Sequence, residues 1–306
     1  MPISVYRYAL PLTKEKQIDG VAVRRRHGFY VNIDGHWGEV APPVTAELAD
    51  TEAELLAACE RLTQGLEHQA TLPWVRFGLG CALTPPTAAA ASSLPLLEGE
   101  REPIIRAWRC RRVHPTRAWL TLSGDVQFDA GLVRELTLLV PGLKLMLDAG
   151  GRLSETQLSG LWQRIDGGAI DWILDPGLDD AHTRTLARQH DWPVALSADR
   201  CADRCGGRVP APFEGLRALV LRPSLLGEPA LCRQLADGAR AQGLDVMLAG
   251  NLESGLGHRH IAQLAGELTP NSPAQLDGLR YLLHSGVNAQ GQPEAQNTTL
   301  VYGPGC

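Results

Sequence analysis

Over the first forty residues the apolar positions alternate with polar ones in short runs, the pattern of strands with one buried face. Val5 to Leu12 is one such run, Val21 to Arg26 a second and Phe29 to Ile33 a third. The third reaches Asp34-Gly35, a two-residue turn signal, and continues into Trp37-Gly38-Glu39-Val40, which predicts a hairpin. Pro42-Pro43 breaks the run, and the spacing then changes. From Ala46 to Gln69 the apolar residues Leu48, Leu55, Leu56, Cys59, Leu62 and Leu66 fall at helical intervals. A second helix is predicted over Pro73–Leu83, with proline at its start and Pro85-Pro86 beyond its end. The Ala/Ser/Pro stretch 87–95 reads as a linker, so residues 1–95 form an α+β unit.

Beyond Pro103 short apolar runs alternate with amphipathic segments. The predicted strands are Ile104–Arg109, Ala118–Leu122, Leu143–Asp148, Ala169–Leu174, Pro193–Ser197, Arg217–Leu221 and Leu244–Leu248. Helical segments lie between them, among them Leu132–Val140, Glu155–Ile165, His182–His190 and Pro229–Gln242. The last six strand tips are 23 to 27 residues apart, the period of a βα unit. An open doubly wound sheet is the alternative, but no G-x-G-x-x-G follows a strand, and the number of units favours closure. The fold class is therefore α/β, a TIM-like barrel over 104–285, preceded by the α+β domain and followed by a tail, 286–306, that returns to that domain.

Composition narrows the partners. The chain has 306 residues and a net charge of −5, and its one basic run is Arg24-Arg25-Arg26, so neither nucleic acid nor a membrane is an expected partner. Lysine occurs only at Lys14, Lys16 and Lys144, which removes most candidates for a catalytic amine. Seven scattered cysteines, no leader segment and no long apolar run fit a reducing, cytoplasmic setting. Cys201 and Cys205 form a C-x3-C pair without a second pair of ligands, and they read as incidental thiols.

In a parallel barrel, chemistry collects at the C-terminal tips of the strands. Here those tips carry Thr121, Asp148, Leu174-Asp175, Ser197, Arg222 and the loop Asn251-Leu252-Glu253-Ser254-Gly255. Asp148 ends the apolar run of 143–148 and precedes a Gly150-Gly151 turn. The set is thin: an octahedral Mg²⁺ site wants several convergent oxygens.

The chain resembles the o-succinylbenzoate synthases of the enolase superfamily over nearly its whole length. In the N-terminal part the likeness rests on Val5-Tyr6-Arg7, on Arg25-Arg26-His27-Gly28-Phe29-Tyr30-Val31, on Trp37 to Pro42 and on Phe77 to Leu83. In the barrel it rests on Leu145–Ala149, Arg217–Leu225 and Leu252–Gly257. The resemblance implies an α+β capping domain and a (β/α)7β barrel. It also implies a Mg²⁺ ion that stabilises an enediolate, a lysine base that removes the proton α to a carboxylate, and loss of water on the route to menaquinone.

Carried over residue by residue, the pattern mostly fails. Thr121 stands in place of the base lysine, Leu174 and Ser197 in place of the second and third metal acids, and Arg222 in place of the second lysine. Gly150 stands where the family has an asparagine. Asp148 alone matches a metal acid and reads as vestigial. Asp175 and Asp199 are each within two residues of a ligand position, yet a one-residue slip turns a strand side chain to the opposite face. Lys144 lies four residues before Asp148, too low in the strand to serve as the base, and His258 and His260 are expected on the surface. Mg²⁺, expected from the family, is thus not expected to bind.

Three readings follow: a pseudoenzyme retained for a ligand or partner, an active synthase with displaced metal ligands, or a metal-independent reaction using Arg222 and Asp148. A small carboxylate is expected at the loop from Asn251 through Glu253 and Ser254 to Gly257, or at the 29–44 segment, with Arg222 as counter-ion.

Overall fold

The structure is a computed structural model that describes Met1–Cys205 and Arg208–Gly303. It divides into two compact units, one made of Met1–Ser92, Leu221–Ala236 and the chain from Leu248 onward, the other of Ser93–Val220 and Asp237–Met247.

The first unit opens with β1 (Ile3–Ile18), β2 (Val21–Ile33) and β3 (His36–Val40), then α1 (Leu48–Thr63) and α2 (Pro73–Leu83). Its antiparallel sheet has the order β11-β1-β2-β3, where β11 (Thr298–Tyr302) comes from the far end of the chain. Both hairpin turns use the same chemistry. Asp34-Gly35 and Asp19-Gly20 each place two consecutive residues at positive φ, the type I′ geometry that matches strand twist. The second Asp-Gly turn is why β1 runs on to Ile18 rather than stopping at Leu12. The segments Val21–Arg26 and Phe29–Ile33 prove to be one strand, paired continuously with β1 from Arg25 to Ile33.

Both faces of this sheet are covered, which accounts for the unbroken apolar run Phe29-Tyr30-Val31. Val5, Phe29, Val31 and Val40 pack with Leu55, Cys59 and Leu62 of α1 and Leu79 of α2. On the other face Tyr8, Leu10 and Tyr30 pack with Leu256 and Leu282. β3 and α2 meet backbone to backbone, because a Cβ on Gly38 would strike the carbonyl of Gly78. Helix α1 stops at Thr63 because Gly65 turns left-handed at φ +75°, which leaves Leu66 beyond the helix and half exposed.

The second unit carries the parallel sheet. Its strands and helices, in order, are β4 (Leu96–Leu97), α3 (Arg101–Arg109), β5 (Arg117–Thr121), α4 (Val126–Leu139), β6 (Lys144–Asp148), α5 (Glu155–Trp162), β7 (Ile170–Leu174), α6 (Asp180–His190), β8 (Val194–Ser197), α7 (Ala198–Cys205) and β9 (Leu216–Leu221). In the chain there follow α8 (Pro223–Leu226) in the first unit, α9 (Pro229–Ala241) across the division, β10 (Asp245–Leu248) in the parallel sheet and α10 (Gly255–Leu268) in the first unit again. The seven strands β4 to β10 neighbour one another in sequence order, the winding of a (β/α) barrel. An isolated parallel bridge between Ala249 and Gln275 extends β10 by one further extended segment.

One strand prediction is overturned. Ile104–Arg109 lies in helix α3, and the first parallel strand is the two-residue β4 at the end of the presumed linker. Ile104, Ile105 and Trp108 are spaced for one helical face and all three are buried, while Arg106 pairs with Glu102 one turn earlier. Pro103 falls within the first turn, where its missing N–H costs nothing.

Candidate functional site

Register sets the strand tips of the second unit. Thr121 pairs with Asp148 and Asp148 with Leu174, so these three lie at one level on one face. Ser197 is two residues beyond Ala195, the partner of Leu174, and so shares that face. Below them Trp119 and Trp172 meet edge to face with centroids 5.4 Å apart, and Trp119 Nε1 donates to Asp148 Oδ2 at 3.3 Å. Asp148 thus rests half-buried on an aromatic floor.

Asp175 is not turned away toward the helices. Its φ of +44° is left-handed, a conformation Asp tolerates better than most residues. Its carboxylate accepts from Ser197 N at 2.9 Å and from Ser197 Oγ at 2.6 Å. Arg200 Nη1 lies 3.5 Å from Asp175 Oδ2, and the Arg200 guanidinium packs against Gly151, where any Cβ would collide with it. The tip of β7 is therefore joined to the tip of β8 by direct hydrogen bonds. Asp199 lies in the first turn of α7, not on a strand. Lys144 begins β6 and gives its ammonium to the Gly168 carbonyl, far from the tips. Cys201 is buried and donates to Asp180 Oδ1 at 3.3 Å, whereas the Cys205 side chain is outside the described residues.

In the first unit a second polar cluster forms around Glu39, which the sequence reading passed over. Glu39 is 1% exposed and accepts four hydrogen bonds: from Tyr8 Oη at 2.6 Å, Ser254 N at 2.8 Å, Ser254 Oγ at 2.5 Å and Gly257 N at 2.7 Å. Two of these donors are N–H groups at the start of α10, which Ser254 itself caps. The carboxylate of a hairpin strand so completes a helix N-terminus, where negative charge is favoured. Glu253 is also buried; it accepts from Ser224 Oγ and from Asn251 N, and burial is the main cause that raises its pKa. The three loop residues expected to meet a ligand thus hold the loop itself: Asn251 through its backbone, Glu253 and Ser254 through their side chains. Arg222 is half-buried at the N-cap of α8, its carbonyl accepting from Leu225 N and Leu226 N.

The histidines differ from expectation. His260 is buried rather than on the surface, and His258 is half-buried. Leu256, His260 and Leu264 follow one another at four-residue intervals on the buried face of α10. His260 is 4% exposed, and burial, with Arg259 adding, pushes its pKa down to about 4. His258 Nε2 lies 2.8 Å from the Leu276 carbonyl, and burial lowers its pKa too. A histidine held neutral when folded but free to charge when unfolded makes the unfolded chain the better proton acceptor. Stability contributed by His260 is therefore present above its unfolded pKa of ~6.5 and is lost as pH falls toward 4. His260→Leu should flatten the fall in melting temperature between pH 6.5 and 4, measured by circular dichroism; an unchanged slope would refute this burial effect.

The family described as MenC, N-terminal domain, matches residues 2–85. o-Succinylbenzoate synthase of Yersinia enterocolitica is 29% identical over 302 residues, covering 91% of this chain and 90% of that protein. The synthase of Edwardsiella ictaluri is 30% identical over 299 residues, with the same coverage of 91% and 90%. The chain belongs to the o-succinylbenzoate synthase family. Solved structures agree on the architecture. A Thermosynechococcus elongatus o-succinylbenzoate synthase complexed with Mg in its active site superposes with a TM-score of 0.68 at 20% identity, covering 92% of this chain and 94% of that one. An enolase-superfamily member from Enterococcus faecalis reaches 0.76 at 16% identity, covering 98% of each. The fold is that of the enolase superfamily, an N-terminal α+β domain and a (β/α)7β barrel.

The residues present do not fit the family's magnesium ion. Leu174 and Ser197, aligned with two acids by the resemblance alone, are fully buried and offer between them one hydroxyl, already donated to Asp175. The Asp175 oxygens are taken by Ser197 and face Arg200, a cation in its own right. Among the described residues no three His, Cys, Asp or Glu side chains are grouped so as to hold a metal ion. Among the described residues no helix is long and apolar enough to cross a membrane.

Proposed function

We propose that this chain is an o-succinylbenzoate synthase homologue without the Mg²⁺-dependent dehydratase reaction, retained to bind a ligand or a partner. One observation carries the reading. On a single face of the parallel sheet lie Thr121, Leu174 and Ser197, which the resemblance aligns with the base and two metal acids, and the neighbouring acid is bonded to Ser197.

Each substitution removes a separate requirement of the chemistry. A threonine hydroxyl does not accept a proton near neutral pH, so Thr121 cannot open the reaction by abstraction α to a carboxylate. A developing enediolate needs concentrated positive charge held by several oxygens, and one carboxylate, Asp148, does not provide that shell. Arg222 stays protonated across the accessible pH range and cannot shuttle a proton, though it can pair with an anion. Base and metal ligands act as a unit, so losing several of them leaves no partial version of the reaction.

Purified protein given the substrate of the o-succinylbenzoate synthases and Mg²⁺ should release o-succinylbenzoate no faster than buffer does. Turnover that EDTA abolishes would instead support an active synthase with displaced ligands. Turnover that survives EDTA would support a metal-independent reaction involving Asp148 and Arg222.

A further inference from the structure

Between residues 101 and 117 the chain places six arginines against one glutamate, although its net charge is −5. Most of these arginines are committed. Arg101 and Arg109 share Glu135 at 2.8 and 3.1 Å, Arg106 pairs with Glu102, and Arg117 pairs with Asp171. Arg111 and Arg112 are exposed and make no ion pair among the described residues. Near them stand Val113 and Leu138, 82% and 81% exposed, the two most exposed large apolar side chains among the described residues. All four lie at one end of the parallel sheet. Helices α3 and α4 stop at Arg109 and Leu139, β5 and β6 start in register at Arg117 and Lys144, and the Arg109–Glu135 pair ties the last turns of the two helices together. This is the end of the sheet remote from Thr121 and Asp148.

The local surplus is of donors and positive charge. Arg111 lies over the Trp108 ring, 5.1 Å from its centroid. Beneath it Trp108 Nε1, which can only donate, and Nδ1 of the neighbouring His114 are buried without a hydrogen-bond partner. Arginines without carboxylates beside exposed aliphatic side chains make a docking surface for an acidic protein partner. A bilayer is a poorer occupant, because two uncommitted arginines and two aliphatic side chains give little hold on it.

A complementary surface exists on the chain itself. Helix α1 buries Leu55, Ala58, Cys59 and Leu62 and turns Ala49, Ala53, Ala57 and Glu60 outward, with exposed Asp50 in its first turn. Neither Asp50 nor Glu60 makes an ion pair among the described residues. The alanines leave a flat strip for aliphatic side chains, and the two acids stand about 15 Å apart at ~1.5 Å per residue, one toward each end of it. We propose that copies of this chain associate through this unlike pair of surfaces, Arg111, Arg112, Val113 and Leu138 of one copy against the outer face of α1 of another. Neither substrate nor metal takes part, so the proposal stands or falls apart from the dehydratase assay.

The test is sedimentation velocity of the full chain over a series of concentrations. The wild type should associate as concentration rises, and the association should weaken at least ~10-fold between about 0.05 and 0.5 M NaCl as the screening length shortens. Val113→Asp on one surface and Ala53→Arg on the other should each weaken it at least ~10-fold. Both side chains are exposed, so circular dichroism should show both variants folded, and Arg112→Glu is a second variant of the first surface. An equimolar mixture of Val113→Asp and Ala53→Arg should associate more tightly than either alone, because one sound surface of each kind remains. A contact of either surface with its own copy would gain nothing from mixing. A monomer at every concentration, a variant of either surface without effect, or a mixture no better than its components would overturn the proposal. So would binding to phosphatidylglycerol vesicles, lost in Val113→Asp, in place of self-association.

Discussion

Glu39→Ala should cost the protein about 4 kcal/mol of stability, a large share of the roughly 5–15 kcal/mol a domain has available. The reasoning starts from the four donors that converge on this one carboxylate: Tyr8 Oη, Ser254 N, Ser254 Oγ and Gly257 N. Truncation leaves buried donors unmet, each worth about 1–3 kcal/mol, and removes a negative charge from the start of a helix. Water can enter the space left and satisfy some of them, which keeps the total below the sum. Glu39→Gln retains one acceptor oxygen but turns an NH₂ toward groups that also donate, so about half the loss should remain. Urea denaturation followed by far-UV circular dichroism gives both values. A Glu39→Ala loss below ~1 kcal/mol would mean that the cluster is not an anchor.

The contrast between what could and could not be read from the chain has physical causes. Parallel strands buried on both faces leave continuous apolar runs, so β5 to β10 were visible to within a residue or two. Helix α2 was legible because Pro73 opens it and Pro85-Pro86 lie just beyond its end. Strand β4 was missed because two residues carry no periodicity, and its place was given to α3, whose Ile104-Ile105 pair mimics a strand when Trp108 is left out of the count. The join of two predicted strands into β2 was hidden by Arg24-Arg25-Arg26, whose charges suggest a solvated break. The long-range pairing of β11 with β1 follows from no local signal, since it is set by a partner almost three hundred residues away.

At the site, residue identity was legible and orientation was not. Family likeness placed Thr121, Asp148 and Leu174 at one level, and the register does so too. Strand parity alone sent the Asp175 carboxylate to the helix side. It is the left-handed backbone at Asp175 that redirects it, and a φ of that sign on a non-glycine residue is not visible in composition. Glu39 and Arg26 were overlooked for a related reason. Each reads as an exposed charge on an alternating strand, and each is buried because both faces of the N-terminal sheet are covered. A charged residue inside a run with no truly polar face, as in Gly38-Glu39-Val40, was the available clue.

Asp175→Ala should destabilise the second unit by about 3 kcal/mol, and this variant separates a structural acid from a metal ligand. In the wild type the carboxylate satisfies the buried amide and hydroxyl of Ser197 and faces Arg200. Alanine leaves those donors unmet and must also hold φ near +44°, which costs a β-carbon residue about 1 kcal/mol more than it costs aspartate. Asp175→Asn keeps one acceptor oxygen and a residue at ease in that backbone region, so it should lose only about 1 kcal/mol, mostly from the Ser197 hydroxyl contact. The Arg200 pair adds little because its guanidinium is partly in water. A metal ligand behaves in the opposite way: an acid held apart from its neighbours by repulsion is relieved by neutralisation, and its cation stabilises the folded chain by mass action. The urea midpoint of the wild type should accordingly be the same in Mg²⁺ and in EDTA, and both Asp175 variants should be less stable in each. A midpoint that rises with Mg²⁺ in the wild type and loses that response in Asp175→Asn would return Asp175 to the metal site and restore the active-synthase reading.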